Sequence, residues 1–188
     1  MRSVGGARRG TALSAPKGGG TRPTSERLRE TIFNILAHGV AAPVDGARVL
    51  DLFAGTGALG LEALSRGAAF ALFVENAAGA RAALRTNIEA LEALGRSRVG
   101  RRDATKLGKC PVPPFSLVFC DPPYRRDLGV AALQSAASGD WLAPECLAVL
   151  EEHKDGAPEA VPGWDLVDAR AAGDSTITFL RRLPAGMV

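Results

Sequence analysis

The stretch Asp51-Leu52-Phe53-Ala54-Gly55-Thr56-Gly57-Ala58-Leu59-Gly60 narrows what this chain can fold into more than any other part of it. It opens inside a short apolar run, residues 49–53, that reads as a buried strand. It then passes glycines at 55, 57 and 60 and enters an apolar helical pattern (Leu61, Leu64) closed by Gly67. Glycine reaches backbone angles closed to other residues and puts no Cβ between the chain and a ligand. In isolation the same spacing marks an ordinary tight turn as readily as a binding loop. Between a predicted strand and a predicted helix, it marks the ligand crevice of a doubly wound α/β fold.

The flanking pattern agrees. Pro23-Thr24-Ser25-Glu26 is a helix start signal, and Leu28, Ile32, Ile35 and Leu36 recur at helical spacing, with Arg27 and Asn34 off the apolar face and His38-Gly39 as the end. Residues 70–75 read as a second buried strand. Residues 77–94 read as a helix with Leu84, Ile88 and Leu91 on one face and Gly95 as its stop, and 98–101 as a short strand. Residues 115–120 form a fourth strand, 128–137 a helix and 147–151 a fifth strand, while 164–167 and 175–180 are β-like with no room for a long helix between them. The expected fold is therefore α/β: a Rossmann-like, mostly parallel seven-stranded sheet with helices on both faces and a C-terminal antiparallel hairpin. Residues 1–23 are rich in Gly, Arg and Pro and lack periodicity, so they are expected to form a small N-terminal extension, as a hairpin or a loose arm, ahead of a domain spanning 24–188.

A chain of 188 residues suffices for one domain with a full core. No apolar run approaches the roughly 18–20 residues of a membrane span, and no signal-like segment follows the basic start, so a soluble cytoplasmic protein is expected. Cys110, Cys120 and Cys146 are odd in number and widely spaced. That pattern suits reduced, buried thiols better than a disulfide framework or a zinc knuckle, and no metal site is expected. Charge is unevenly spread. Residues 1–29 carry seven Lys and Arg against Glu26 alone, a balance of +6, so the whole-chain charge of +3 leaves −3 for the remainder. A near-neutral body behind a basic arm points to a polyanion, nucleic acid first. A solvated tail or an organelle transit peptide has the same composition.

Ligands in such a sheet bind beyond the carboxyl ends of the strands. Asp51, Glu75, Asp103 and Asp121 fall at those ends or just past them, a row of acceptors along one crevice. Glu75 follows Gly55 by 20 residues, the spacing of an acid that grips ribose hydroxyls in a dinucleotide or in S-adenosylmethionine. Two features favour the second. Asp51 lies within the first strand, where a carboxylate suits a cationic amino-acid tail and opposes a pyrophosphate. Asp121-Pro122-Pro123-Tyr124 ends the fourth strand, with two prolines that fix the backbone and remove N–H donors, carbonyls left on display, and an aromatic face at Tyr124.

The Asp121 carboxylate and the Pro122 carbonyl together suit an exocyclic NH2 group. Accepting both hydrogens aims the nitrogen lone pair at an incoming methyl, and these bonds strengthen as the nitrogen gains positive charge. The alkylated nitrogen is acidic, so no strong general base is needed. A plain strand-ending turn is the alternative for this tetrapeptide.

The motif at residues 51–68, Asp121-Pro122-Pro123-Tyr124, and the run from Arg22 through Thr24, Arg27 and Arg29 to Asn34 resemble the RsmD family of bacterial 16S ribosomal RNA guanine-N2 methyltransferases. The resemblance runs from Val4 to Ser175, and the 22–34 run is its family-specific part. It implies a Rossmann-like methyltransferase fold, S-adenosylmethionine as donor, and a guanine of 16S rRNA, in a partly assembled small subunit, as target. It also implies a monomer that needs neither metal nor membrane. Carried over position by position, Asp51 and the turn Ala54, Gly55, Thr56 and Gly57 would hold the methionine part, Glu75 the ribose, and Asp103 and Ala104 the adenine, with Phe53 and Asn76 also at the cofactor. Asp121, Pro122, Pro123 and Tyr124 would clamp and stack the guanine. Arg8, Arg9, Arg22, Thr24, Arg27, Arg29, Arg125 and Arg126 would contact the RNA, whose target base must leave its stack.

Two departures stand out. Ala77 occupies the place where the family carries an acid two residues after the ribose-binding Glu, and Arg2-Ser3-Val4 is more polar than the family's first strand. The same four residues at 121–124 would also serve an adenine-N6 DNA methyltransferase or a protein-glutamine methyltransferase. A non-catalytic nucleotide-binding module or an NAD-dependent oxidoreductase is the alternative of another class.

Overall fold

The computed structural model describes residues 2–3, 5–14, 26–40, 43–123, 127–158 and 160–184. Its sheet has seven strands: β1 (Arg48–Leu52), β2 (Phe70–Val74), β3 (Ser97–Gly100), β4 (Phe115–Cys120), β5 (Leu142–His153), β6 (Trp164–Ala172) and β7 (Ser175–Arg182). They lie in the order β3-β2-β1-β4-β5-β7-β6. The first five in that order are parallel, and β7 and β6 add an antiparallel edge. Helices α1 (Glu26–His38), α2 (Ala58–Ser65), α3 (Ala78–Ala90) and α4 (Leu128–Ser138) cover the sheet.

Strand side chains alternate between two apolar layers, as a pleated sheet buried on both faces requires. Val49, Phe73, Phe119 and Val149 pack with Phe33 and Leu36 of α1, Leu61 and Leu64 of α2 and Leu84 and Ile88 of α3. Leu50, Leu52, Val118 and Leu150 face the other way, onto Ala132, Leu133 and Ala136 of α4 and onto Trp141. Every residue of α2 is buried, Glu62 and Ser65 included, because the sheet lies on one side of it and the N-terminal segment on the other.

Several boundaries differ from the sequence expectation, among them the end of β6, which runs to Ala172 rather than 167. The helix after β2 ends at Ala90, not near Gly95, because Glu92 turns left-handed (φ 53°) and the Ala93 N–H closes back on the Ile88 carbonyl. That termination buries Leu91 and Ala93 under the sheet. The fifth strand begins at Leu142, with an irregular register against β4 before Leu147. At the N-terminus, the Ser3 N–H donates to the Thr11 carbonyl, the Gly10 N–H to the Ser3 carbonyl, and Arg2 bridges Ala12, so the described residues 2–3 and 5–14 form a small hairpin-like unit.

Candidate active site

The strand order reverses at β1, which lies between β2 and β4 while the next connection crosses to the far side. A crevice at such a switch point is where open α/β sheets bind ligands. Leu52 is in register with Val74 on one side and Cys120 on the other. Glu75, Phe53 and Asp121 therefore leave three adjacent strands side by side, and Asp51 stands two residues behind Phe53.

The turn from β1 into α2 is strained, and its glycines have different duties. Phe53 (φ 57°), Gly55 (φ 56°) and Gly57 (φ 83°) all adopt left-handed backbone, rare for a phenylalanine and a common sign of a functional constraint. A Cβ on Gly57 would meet Leu84 Cδ1 at 2.3 Å, so that glycine lets α3 approach. A Cβ on Gly60 would meet Phe73 Cε1 at 2.4 Å and Asp51 Oδ2 at 2.9 Å, so that one lets α2 press on the sheet. Around Gly55 the nearest atom to such a Cβ is the Phe53 carbonyl oxygen at 4.0 Å, which leaves open space over the middle of the turn.

The acids anchor this geometry. Asp51 is 3% exposed, and its Oδ2 accepts the Gly60 N–H at 2.9 Å, satisfying one of the orphan donors in the first turn of α2. Burial lifts its carboxyl well above the usual range. The Gly60 N–H opposes that shift, and the nearby charges of Asp121 and Glu75 add to it. Glu75 binds its own end of the crevice together: Oε2 accepts the Gly55 N–H at 2.8 Å and Oε1 the Ala77 N–H at 2.7 Å. Arg81 donates to the carbonyls of Glu75 and Asn76, fixing the loop that follows. Asp103 caps the short helical turn at 104–106, accepting from the Thr105 N–H (2.9 Å) and hydroxyl (2.7 Å), and these bonds hold its carboxyl below the usual range. Ala104 is buried behind it.

Beyond β4, Asp121 is half-buried, Pro122 buried and Pro123 exposed. Tyr124, Arg125 and Arg126 lie outside the described residues, as do Arg22 and Thr24. Of the arginines assigned to RNA, Arg9 and Arg27 are exposed, and Arg8 is exposed but paired with Glu92.

Arg29 requires a correction. It is fully buried, not on the surface, and its Nη2 donates to the Arg2 carbonyl at 2.6 Å. Burial lowers its pKa, and the charges of Glu62 and Glu26 oppose that shift. The helical spacing contains the signal: 29, 32, 33 and 36 form one face, and Ile32, Phe33 and Leu36 are its other members.

Two further polar residues escaped the sequence reading. Glu62 accepts from Ser3 Oγ at 3.0 Å and Arg66 Nε at 2.8 Å. Asn87, fully buried, joins α3 to the glycine turn and to Ser14.

A sheet of this order with a glycine turn at its switch point defines the class of Rossmann-like methyltransferase folds. The Geobacter metallireducens precorrin-6y C5,15-methyltransferase shares the fold at 14% identity, with a TM-score of 0.68 over 92% of this chain and 94% of that one. Closer relationship is explicit. Residues 1–181 match the family model described as Conserved hypothetical protein 95, and the chain belongs to this family, the RsmD family. It is 39% identical to ribosomal RNA small subunit methyltransferase D of Escherichia coli strain K12 over 187 residues, covering 99% of this chain and 92% of that protein. It is 32% identical to the protein of the same name from Haemophilus influenzae over 176 residues, covering 92% and 89%. The solved structure of the Escherichia coli protein yhhF superposes with a TM-score of 0.82 at 37% identity, covering 97% of this chain and 98% of that one.

Proposed function

We propose that this chain transfers a methyl group from S-adenosylmethionine to the exocyclic N2 amine of a guanine in 16S ribosomal RNA, acting on a partly assembled small subunit in the cytoplasm. The names of its family relatives support rRNA methylation. The register of β1 against β4, which sets the Asp121-Pro122 turn beside the glycine turn, carries the reading of the site.

The residues present fit the donor. Space lies open over Gly55, where a side chain would intrude. Asp51, Glu75 and Asp121 converge with one sign of charge, as a group bearing a sulfonium and an ammonium requires. When bound, S-adenosylmethionine supplies an electrophilic methyl. Asp51, too buried for much direct contact, contributes its field and holds α2 in place through Gly60. Glu75 has used one lone pair on each oxygen for backbone N–H groups, and a carboxylate has lone pairs left for ribose hydroxyls. The Asp121 carboxylate and the Pro122 carbonyl accept the two hydrogens of the guanine amine and direct its lone pair across the crevice. As the nitrogen becomes cationic these bonds strengthen, and the proton departs along the one held by Asp121.

The test is mass mapping of methylated nucleosides in ribosomes from a deletion strain, before and after complementation. One N2-methylguanosine in 16S rRNA should vanish and return. Loss of a methyladenosine instead, or an unchanged map, would overturn the assignment.

A further inference from the structure

The N-terminal unit is tied into the same helix and turn that form the crevice. Ser3 Oγ donates to Glu62, Ser65 Oγ donates to the Gly5 carbonyl at 2.6 Å, and the Arg8 N–H donates to Ser65 Oγ at 3.1 Å, all on α2. A Cβ on Gly6 would fall 1.9 Å from the Ser65 carbonyl oxygen, so the segment lies flat on the end of that helix.

Its other end is held by Asn87 alone among the hydrogen bonds described for Ser14. Asn87 Oδ1 accepts the Ser14 N–H at 2.6 Å, and Nδ2 donates both to the Ser14 carbonyl at 3.1 Å and to the Thr56 carbonyl at 3.0 Å. One fully buried amide thus uses its acceptor on the arm and shares its donors between the arm and the middle of the glycine turn. An amide in this position has one orientation that satisfies all three bonds, so displacement of Ser14 leaves the buried Oδ1 acceptor unpaired, and displacement of the turn leaves the Thr56 carbonyl without this donor.

We propose that Asn87 is a positioning residue that couples the N-terminal arm to the cofactor turn, so that order in the arm and a ligand in the crevice favour one another. This rests on the cofactor reading of the turn given above. Coupling of this kind is reciprocal: cofactor that fixes Thr56 fixes Ser14, and RNA that fixes the arm tightens the cofactor turn. An enzyme so built grips its donor best when its basic arm is engaged.

Hydrogen exchange of the full-length chain, read by mass spectrometry with and without saturating S-adenosylhomocysteine, tests the link. In the wild type, exchange should slow in residues 53–60 and also, by about fivefold, in residues 2–14, at the lower end of couplings between sites. Asn87→Asp keeps the acceptor for the Ser14 N–H and removes both donors. It should retain the slowing at 53–60 and lose it at 2–14. A residue of merely structural importance would speed exchange throughout and leave the ligand-dependent difference intact.

Protection at 53–60 without protection at 2–14 in the wild type overturns the coupling, as does arm protection that survives Asn87→Asp. If Asn87→Asp does not fold, Ser14→Pro, which removes the N–H that Asn87 Oδ1 accepts, takes its place: loss of the ligand-dependent slowing at 2–14 supports the link and its survival overturns it. Absence of any protection at 53–60, with no binding heat, instead removes the cofactor reading and the coupling with it.

Discussion

Two clusters of charge, each built around buried members, lie on either side of α2, and they are built on opposite rules. Beneath the N-terminal unit, Arg29 faces Glu62 and Glu26, and Glu62 is held by Arg66 and Ser3. Opposite signs and hydrogen bonds cancel there, and the cluster is complete within the fold. At the crevice, the charges that act on buried Asp51 among the described residues are those of Asp121 and Glu75, both of its own sign. Gathering like charges around a buried one is costly and persists where a ligand of the other sign belongs. Charge balance, more than burial, separates the structural cluster from the one proposed to bind the cofactor.

The difference can be broken most forcefully at Arg29. Arg29→Ala removes a buried charge that opposes Glu62 and should lower stability by about 3–5 kcal/mol, read from urea unfolding, with no change in the salt dependence of RNA binding. An altered salt slope in a stable variant would return Arg29 to the RNA surface. Asp121→Ala should reduce methyl transfer by about 10²–10³-fold, roughly 2.7–4 kcal/mol, while S-adenosylhomocysteine affinity stays within about twofold. Retained turnover in a single-turnover assay would remove Asp121 from the chemistry.

Asp51→Asn should weaken donor binding by about 2 kcal/mol, roughly what one unit charge contributes to another about 8 Å away at an effective dielectric of about 20, and should stabilise the ligand-free protein at neutral pH. The sign follows from linkage. A carboxyl raised in the fold binds protons there more tightly than in the unfolded chain, so stability falls as pH rises from the ordinary carboxylate range through the raised value. The amide of the Asp51→Asn variant does not titrate and contributes no such slope. Melting temperatures of both proteins at pH 5 and pH 8, without ligand, measure it, and parallel curves would show that Asp51 does not titrate as proposed. The smallest effect belongs to the arm. Replacing Arg8, Arg9 and Arg22 together should flatten the plot of log K against log salt by about 0.7 for each phosphate of single-stranded RNA that is no longer neutralised. An identical slope would make the arm a bystander to RNA.

For two of the buried polar residues the sequence reading fails in the same way. Arg29 and Asn87 both lie on helix faces whose other members are apolar: Ile32, Phe33 and Leu36 in α1, and Leu84, Ile88 and Leu91 around Asn87. Polar character suggests solvent, yet position on the face is the better guide. Glu62 carries no such contrast, because α2 is buried all round and no single face is distinguished.

The order of strands and helices, the glycine turn and the acids at the strand ends were determined by the sequence alone, since each is written in residues close together along the chain. Backbone preference, spacing and chain direction are local properties and need no partner to be read. Which charges would be neutralised was decided only by the tertiary structure. Arg29 meets Arg2 and Glu62, Ser14 meets Asn87, and Asp51 meets Asp121 across dozens of residues. The energy of a buried polar group depends on what the fold brings to it, and no local pattern contains that.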